Sequence, residues 1–90
     1  SQMRRSVVSV PSNIAEGYSS QTRKDYIRFL YIANGSLKEM ETQLIIAGRR
    51  NYCSREQAEL SWQLAQQVGK MLRALIRSLD SPTRATKANS

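Results

Sequence analysis

With 90 residues, the chain has room for one domain, near the lower limit at which a core stabilises itself without disulfides or metals. Its 14 Lys and Arg against 7 Asp and Glu give a formal charge of +7 and favour polyanions as partners, while one cysteine and no histidine exclude an internal disulfide and a zinc site of the usual kind. No signal peptide and no apolar run long enough for a bilayer are visible, so no membrane role is expected and cytoplasmic residence is the default.

Residues 2–18 are expected to form the first helix. Met3, Val7, Val10 and Ile14 step by four, three and four, which defines a short apolar face. Pro11 removes one backbone hydrogen bond and crowds the preceding turn, so a bend or a restart is predicted there. Gly17 with Tyr18-Ser19-Ser20 supplies the stop and the loop. The chain opens without a cap before Gln2, as the interior of a helix would, and an N-terminal part is expected to be missing.

Residues 22–50 form the element around which the rest is organised. Tyr26, Leu30, Ala33, Leu37, Met40, Leu44 and Ala47 alternate steps of four and three, and Phe29, Ile32 and Ile46 widen this face. Such a helix is roughly 40 Å long and must lay its apolar side on other helices. Asn34-Gly35 in its middle is a common hairpin dipeptide, but the seam keeps its phase across it. Gly35 costs about 1 kcal/mol relative to alanine, less than burying a single large seam residue returns, so the helix is predicted to continue. Gly35 then serves either close approach of a neighbour or nothing beyond tolerance. Thr22 with Asp25 resembles a capping box, and Asn51 is suited to a left-handed cap after Arg49 and Arg50.

Ser54 with Gln57 opens a third helix over 54–80. Ala58, Ala65, Val68, Leu72, Leu75 and Leu79 keep heptad register with Ser61 at a polar position, flanked by Trp62, Leu64, Met71 and Ile76. Residues 81–90 offer nothing to bury and are expected to be a disordered basic tail after a domain of residues 1–80.

Catalytic chemistry finds no foothold. Without histidine a nucleophile lacks its commonest base, and Cys53 in an interhelical turn is best explained as an incidental thiol. Glu39 and Glu41 point roughly 200° apart on a helix and cannot share a proton or a metal. Glu56 and Glu59 share a face, but acids in a first turn usually complement the dipole. Gly69-Lys70 lacks the rest of a phosphate loop, and no cofactor is implied. The basic residues cluster instead. Lys70, Arg73 and Arg77 form a stripe at spacings of three and four, Arg23, Lys24 and Arg28 crowd the start of the long helix, and Arg49 and Arg50 lie at its end beside Arg55. These are the candidate phosphate contacts, with Lys70, Arg73 and Arg77 first; a merely solvated face, partly paired with Glu39 or Glu41, is the plainer explanation. Few exposed aromatics are expected, so base readout should be minor.

The runs Gln2-Met3-Arg4-Arg5, Ser9-Val10-Pro11-Ser12-Asn13-Ile14-Ala15-Glu16-Gly17, Arg28-Phe29-Leu30-Tyr31-Ile32-Ala33, Gly35-Ser36-Leu37 and Glu39-Met40-Glu41-Thr42-Gln43-Leu44 resemble the bacterial four-helix-bundle family called 23S rRNA intervening-sequence proteins, or S23. The resemblance is dense over residues 2–48 and thins out in the third helix. It implies an all-α, up-and-down antiparallel four-helix bundle whose first helix precedes residue 1, and assembly into a homopentameric ring. It also implies kinship with the accessory variability proteins of diversity-generating retroelements, basic pentamers that bind nucleic acid and a reverse transcriptase. Met40 stands where the family usually has leucine, a mild exchange. The expected function is a non-enzymatic oligomeric scaffold or adaptor that binds RNA or DNA through phosphates; the alternative is a protein interaction module whose charge serves only solubility.

Overall fold

The computed structural model describes residues 2–80, and the expected basic tail at 81–90 lies outside them. Three helices follow one another: α1 (Gln2–Tyr18), α2 (Arg23–Arg49) and α3 (Arg55–Asp80). Among the described residues there is no strand. Both α1 and α3 pack antiparallel on α2 and barely touch each other. α2 is therefore the central rod of an elongated body of 55 × 20 × 13 Å.

Local chemistry accounts for each boundary. The Thr22 hydroxyl accepts the Asp25 N–H at 3.1 Å, and Asp25 adds negative charge to the first turn of α2. At the other end Asn51 adopts φ 60°, and the Tyr52 and Asn51 amides donate to the Ala47 and Gly48 carbonyls at 3.0 and 3.3 Å. That pair of bonds is a Schellman motif with asparagine in the left-handed position. Ser54 and Gln57 cap α3 reciprocally, with the Gln57 amide donating to Ser54 Oγ at 3.0 Å and the Ser54 amide donating to Gln57 Oε1 at 3.3 Å.

α2 runs unbroken through Asn34-Gly35, because Leu30, Ala33 and Leu37 are buried on both sides of that pair. No neighbour comes within 4 Å of a Cβ built on Gly35, so this glycine is tolerated and serves no close approach. Ile32 and Ile46, expected to widen the buried face, are exposed.

Two expectations about seam register are corrected. In α3 the buried row is Ala65, Gly69, Leu72 and Ile76, so Ile76 belongs to the seam and Val68, Leu75 and Leu79 move to its flank. A heptad written around large side chains passes over Gly69. Its small size lets Leu37 Cδ2 come within 3.1 Å of where its Cβ would be. In α1 the buried residues are Ser6, Val10 and Gly17, and Val7 is 47% exposed. Beside the apolar packing of Val10 and Ile14 this interface carries polar contacts: Ser6 Oγ donates to Glu39 Oε2 at 3.3 Å, the Ser9 and Ser36 hydroxyls lie 2.7 Å apart, and Asn13 Nδ2 donates to Ser9 Oγ at 2.9 Å.

Pro11 neither breaks nor restarts α1, which is continuous from Gln2 to Tyr18. Gly17 does not stop α1 either. It is buried inside the helix at a negative φ, where a Cβ would lie 2.9 Å from Tyr26 Cδ1 and 3.3 Å from the Tyr26 carbonyl oxygen. Its function is close approach of α1 to the first turn of α2.

These contacts separate two glycines. Gly17→Ala should lower stability by about 1–2 kcal/mol despite its gain in helix propensity, since the crowded backbone oxygen cannot rotate away. Gly35→Ala should raise stability by about 0.5–1 kcal/mol. Urea unfolding followed by far-ultraviolet circular dichroism measures both, and equal effects at the two positions would contradict the packing described.

Candidate nucleic-acid interface

One broad face of the molecule is made by α2 and α3 on the side away from α1. Along α2 the row Lys24, Ile27, Tyr31, Asn34, Lys38, Glu41, Ile45 and Arg49 advances by three or four residues, and so does the α3 row Arg55, Glu59, Trp62, Gln66, Lys70, Arg73, Arg77 and Asp80. Contacts join the two rows along their length. Gln66 Nε2 donates to Glu41 Oε1 at 2.5 Å in the middle, Arg49 and Ile45 line one groove with Arg55 and Trp62 at one end, and Lys24 and Ile27 line another with Asp80 at the other.

The candidate phosphate contacts divide accordingly. Lys70 and Arg77 are exposed on this face. Arg73 is half-buried, its Nη1 folded to 2.9 Å from where a Gly69 Cβ would be, so part of its guanidinium is spent on packing. Arg23 and Lys24 flank Asp80 near the Arg77 end. Arg49 and Arg50 lie at the opposite end, with Arg55. Arg28 stands apart: its Nε is 3.7 Å from Asp25 Oδ1, and its guanidinium carbon is 4.5 Å from the Phe29 ring centroid. From Arg55 to Arg77 the row spans roughly 33 Å of helix. Over that distance the two cationic ends do not feel each other at physiological salt, where the screening length is about 8 Å.

Acidic residues neutralise little of this. Among the described residues none of Arg23, Lys24, Arg49, Arg50, Arg55, Lys70, Arg73 and Arg77 forms an ion pair. Glu41 is buried, accepts from Gln66 and pairs with Lys38 Nζ at 3.5 Å. Glu39 turns the other way, toward Ser6 of α1. The two acids thus diverge as their spacing requires, and neither meets the Lys70, Arg73 and Arg77 stripe. No group of three or more His, Cys, Asp or Glu among the described residues could hold a metal ion. None of the helices is long and apolar enough to cross a membrane.

Two features were not visible in the sequence as parts of a site. Exposed aromatics are more numerous than expected: Tyr18, Tyr31, Tyr52 and Trp62 all reach solvent. Trp62 also walls a groove of about 290 Å³ with Leu44, Ile45, Gly48 and Ala58, and the exposed Arg49, Arg55 and Glu59 form its rim. In the sequence Trp62 counts only as a flank of the α3 seam. The signal that could have found it is the polar row at three-four spacing from Arg55 to Arg77, in which Trp62 is the one large apolar member.

The profile of the 23S rRNA-intervening sequence protein family matches residues 1–74. The chain belongs to that family. A crystal structure of a protein of unknown function from the S23 ribosomal protein family of Bacteroides thetaiotaomicron VPI-5482 superposes with a TM-score of 0.82 at 34% identity. The match covers 84% of this chain and 70% of that one. No match to a protein of curated function was found. The S23 fold of the Bacteroides protein and the all-α arrangement of this chain agree, and the seam corrections above leave that arrangement intact.

Glu41 is the one buried carboxylate of the face, and Gln66 is its partner from α3. Gln66→Leu should cost about 1–3 kcal/mol by leaving a buried acceptor short of a donor, whereas pairing it with Glu41→Leu should recover most of that loss. A double-mutant cycle in chemical denaturation measures the coupling, and purely additive losses would contradict it.

Proposed function

We propose that this chain is a non-enzymatic helical-bundle scaffold that binds RNA or DNA through phosphates on the α2–α3 face. The observation that carries this reading is that Lys24, Arg49, Arg55, Lys70 and Arg77, all exposed on that face, form no ion pair among the described residues, Lys38 being the one cation of the two rows that is paired. Their spread favours a long polyanion over a small one. A free phosphate or a nucleotide meets one end only, while a strand or duplex of about ten residues or more reaches both. Lys70 and Arg77 contribute full charges, Arg49, Arg50, Arg23 and Lys24 add the ends, Arg73 contributes partly, and Arg28 least. The family's 23S rRNA name is compatible with this reading and does not identify the nucleic acid.

Self-association is the second part of the proposal. On the side opposite the basic face, between α1 and α3, Val7, Leu64, Val68 and Met71 are left open, with Leu64 63% and Met71 71% exposed. So much apolar surface in one place favours burial against another helix: the first helix that the family resemblance places before residue 1 would lie between α1 and α3, and what it leaves uncovered is open to sister copies of the implied homopentamer. A protein partner such as a reverse transcriptase would use the same kind of surface, in which case charge serves solubility alone.

Fluorescence anisotropy with labelled single- and double-stranded oligonucleotides tests the first part. Binding should weaken with salt at a slope of about −4 in log K against log salt for duplex DNA, and Lys70→Gln with Arg77→Gln should reduce that slope by about 2. No binding at low salt, or a slope that the double variant leaves unchanged, defeats the nucleic-acid reading. Light scattering coupled to size exclusion tests the second part: a multimer is expected, and Leu64→Lys with Met71→Lys should dissociate it.

A further inference from the structure

We infer that the groove walled by Trp62 is a docking site for an acidic amphipathic segment of a different protein. One large apolar side chain of that segment seats against Trp62 and Ile45, and its flanking carboxylates meet Arg49 and Arg55. This goes beyond nucleic-acid binding and stands independently of it.

The groove exists because its floor is small. Gly48 faces Ala58 across the α2–α3 crossing, and a Cβ on Gly48 would touch the Ala58 Cβ at 3.4 Å. Any larger residue at either position would fill the space. Above this floor Ile45 is 47% and Trp62 40% exposed, although an indole and a branched aliphatic chain would each gain from burial. A volume of about 290 Å³ is at the bottom of the range for small-molecule sites and suits one or two bulky side chains.

The chemistry selects the occupant. The polar groups of the lining belong to Trp62, Arg49, Arg55 and Glu59, and Leu44, Ile45, Gly48 and Ala58 offer no side-chain hydrogen-bonding group. A nucleobase pushed among them would leave polar edge atoms without partners, at about 1–3 kcal/mol each, while an apolar side chain loses nothing. Arg49 and Arg55 have no carboxylate within ion-pair distance among the described residues and outnumber Glu59, the one acid of the rim, so a partner carrying acids around an apolar anchor is complementary on the arginine side of the groove. This chain supplies no good copy of such a segment. Of its seven acids, Glu41 is buried, Asp25 is paired with Arg28, Glu39 accepts from Ser6, and the exposed Glu16 and Asp80 each stand without a second acid in the neighbouring turns to flank an anchor. Glu56 and Glu59 both lie on the N-terminal side of the exposed Leu60, and Glu59 is itself part of the groove lining, so a second copy could present them only by giving up its own groove wall.

Trp62 is the only tryptophan of the chain, so its emission reports the groove directly. The full chain is titrated with a short helical peptide of leucine and glutamate, with the same peptide carrying lysine for glutamate, and with oligothymidylate. The acidic peptide should shift the emission to shorter wavelength saturably, with affinity about tenfold weaker in Arg55→Glu. That variant keeps an acid in the first turn of α3, where the helix dipole favours it. Ala58→Leu, which fills the floor, should abolish the shift, and Lys70→Gln with Arg77→Gln should leave it unchanged. Three results overturn the inference: no shift, or an equal shift with the lysine peptide; a shift with oligothymidylate alone, which makes the groove a base platform; or a shift that follows protein concentration together with a rise in mass, which makes a second copy the occupant.

Discussion

Two neighbours share one rod. α2 places Leu30, Ala33 and Leu37 fully or almost fully out of water because α1 and α3 close on it from different sides, and these three residues form the centre of the single hydrophobic cluster. Close approach on each side depends on a missing side chain: Gly17 where α1 meets Tyr26 and Phe29, and Gly69 where α3 meets Leu37. The two glycines carry a helix-propensity cost of about 1 kcal/mol each, which the burial of large aliphatic residues readily exceeds. Among the described residues α1 and α3 do not close on each other, which leaves two unlike surfaces, one rich in arginine and lysine and one apolar.

The long helix was the most legible element. Its heptad alternation from Tyr26 to Ala47 is periodic enough to outweigh the turn propensity of Asn34-Gly35, and the caps at Thr22, Asn51 and Ser54 announce themselves by residue type. The partner helices were legible as helices but not in register. Heptad arithmetic ranks positions by size, whereas the real α1 and α3 seams pass through Ser6, Gly17 and Gly69, residues that contribute by letting another chain come near. Gly17 could be taken for a terminator because a glycine before Tyr-Ser-Ser is statistically a stop. Only the position of Tyr26 shows that it is a contact.

The basic residues were visible as clusters in sequence, but their allocation to surfaces required the fold. Arg73 and Lys70 belong to one stripe by spacing, yet only one has its charge fully in water, because Gly69 leaves a shelf on which the Arg73 guanidinium lies. Arg28 is three residues from Asp25 and next to Phe29, so local geometry absorbs it. Trp62 is the reverse case: a residue type associated with cores stands 40% exposed, beside a groove that Gly48 and Ala58 help to line.

Segregation of charge from apolar surface links the proposed activities. A chain of charge +7 resists association with itself wherever cations face cations, so a contact between copies must avoid the α2–α3 face. The open side between Val7 and Met71 satisfies that condition, because its lining is apolar and the cationic rows point elsewhere. Copies joined there would present several cationic rows to one polyanion. The second and later rows would then bind at the high effective concentration set by the assembly, gaining affinity without a new contact. Phosphate contacts that are individually weak become useful in that geometry, because each further row engages a strand already held by the first.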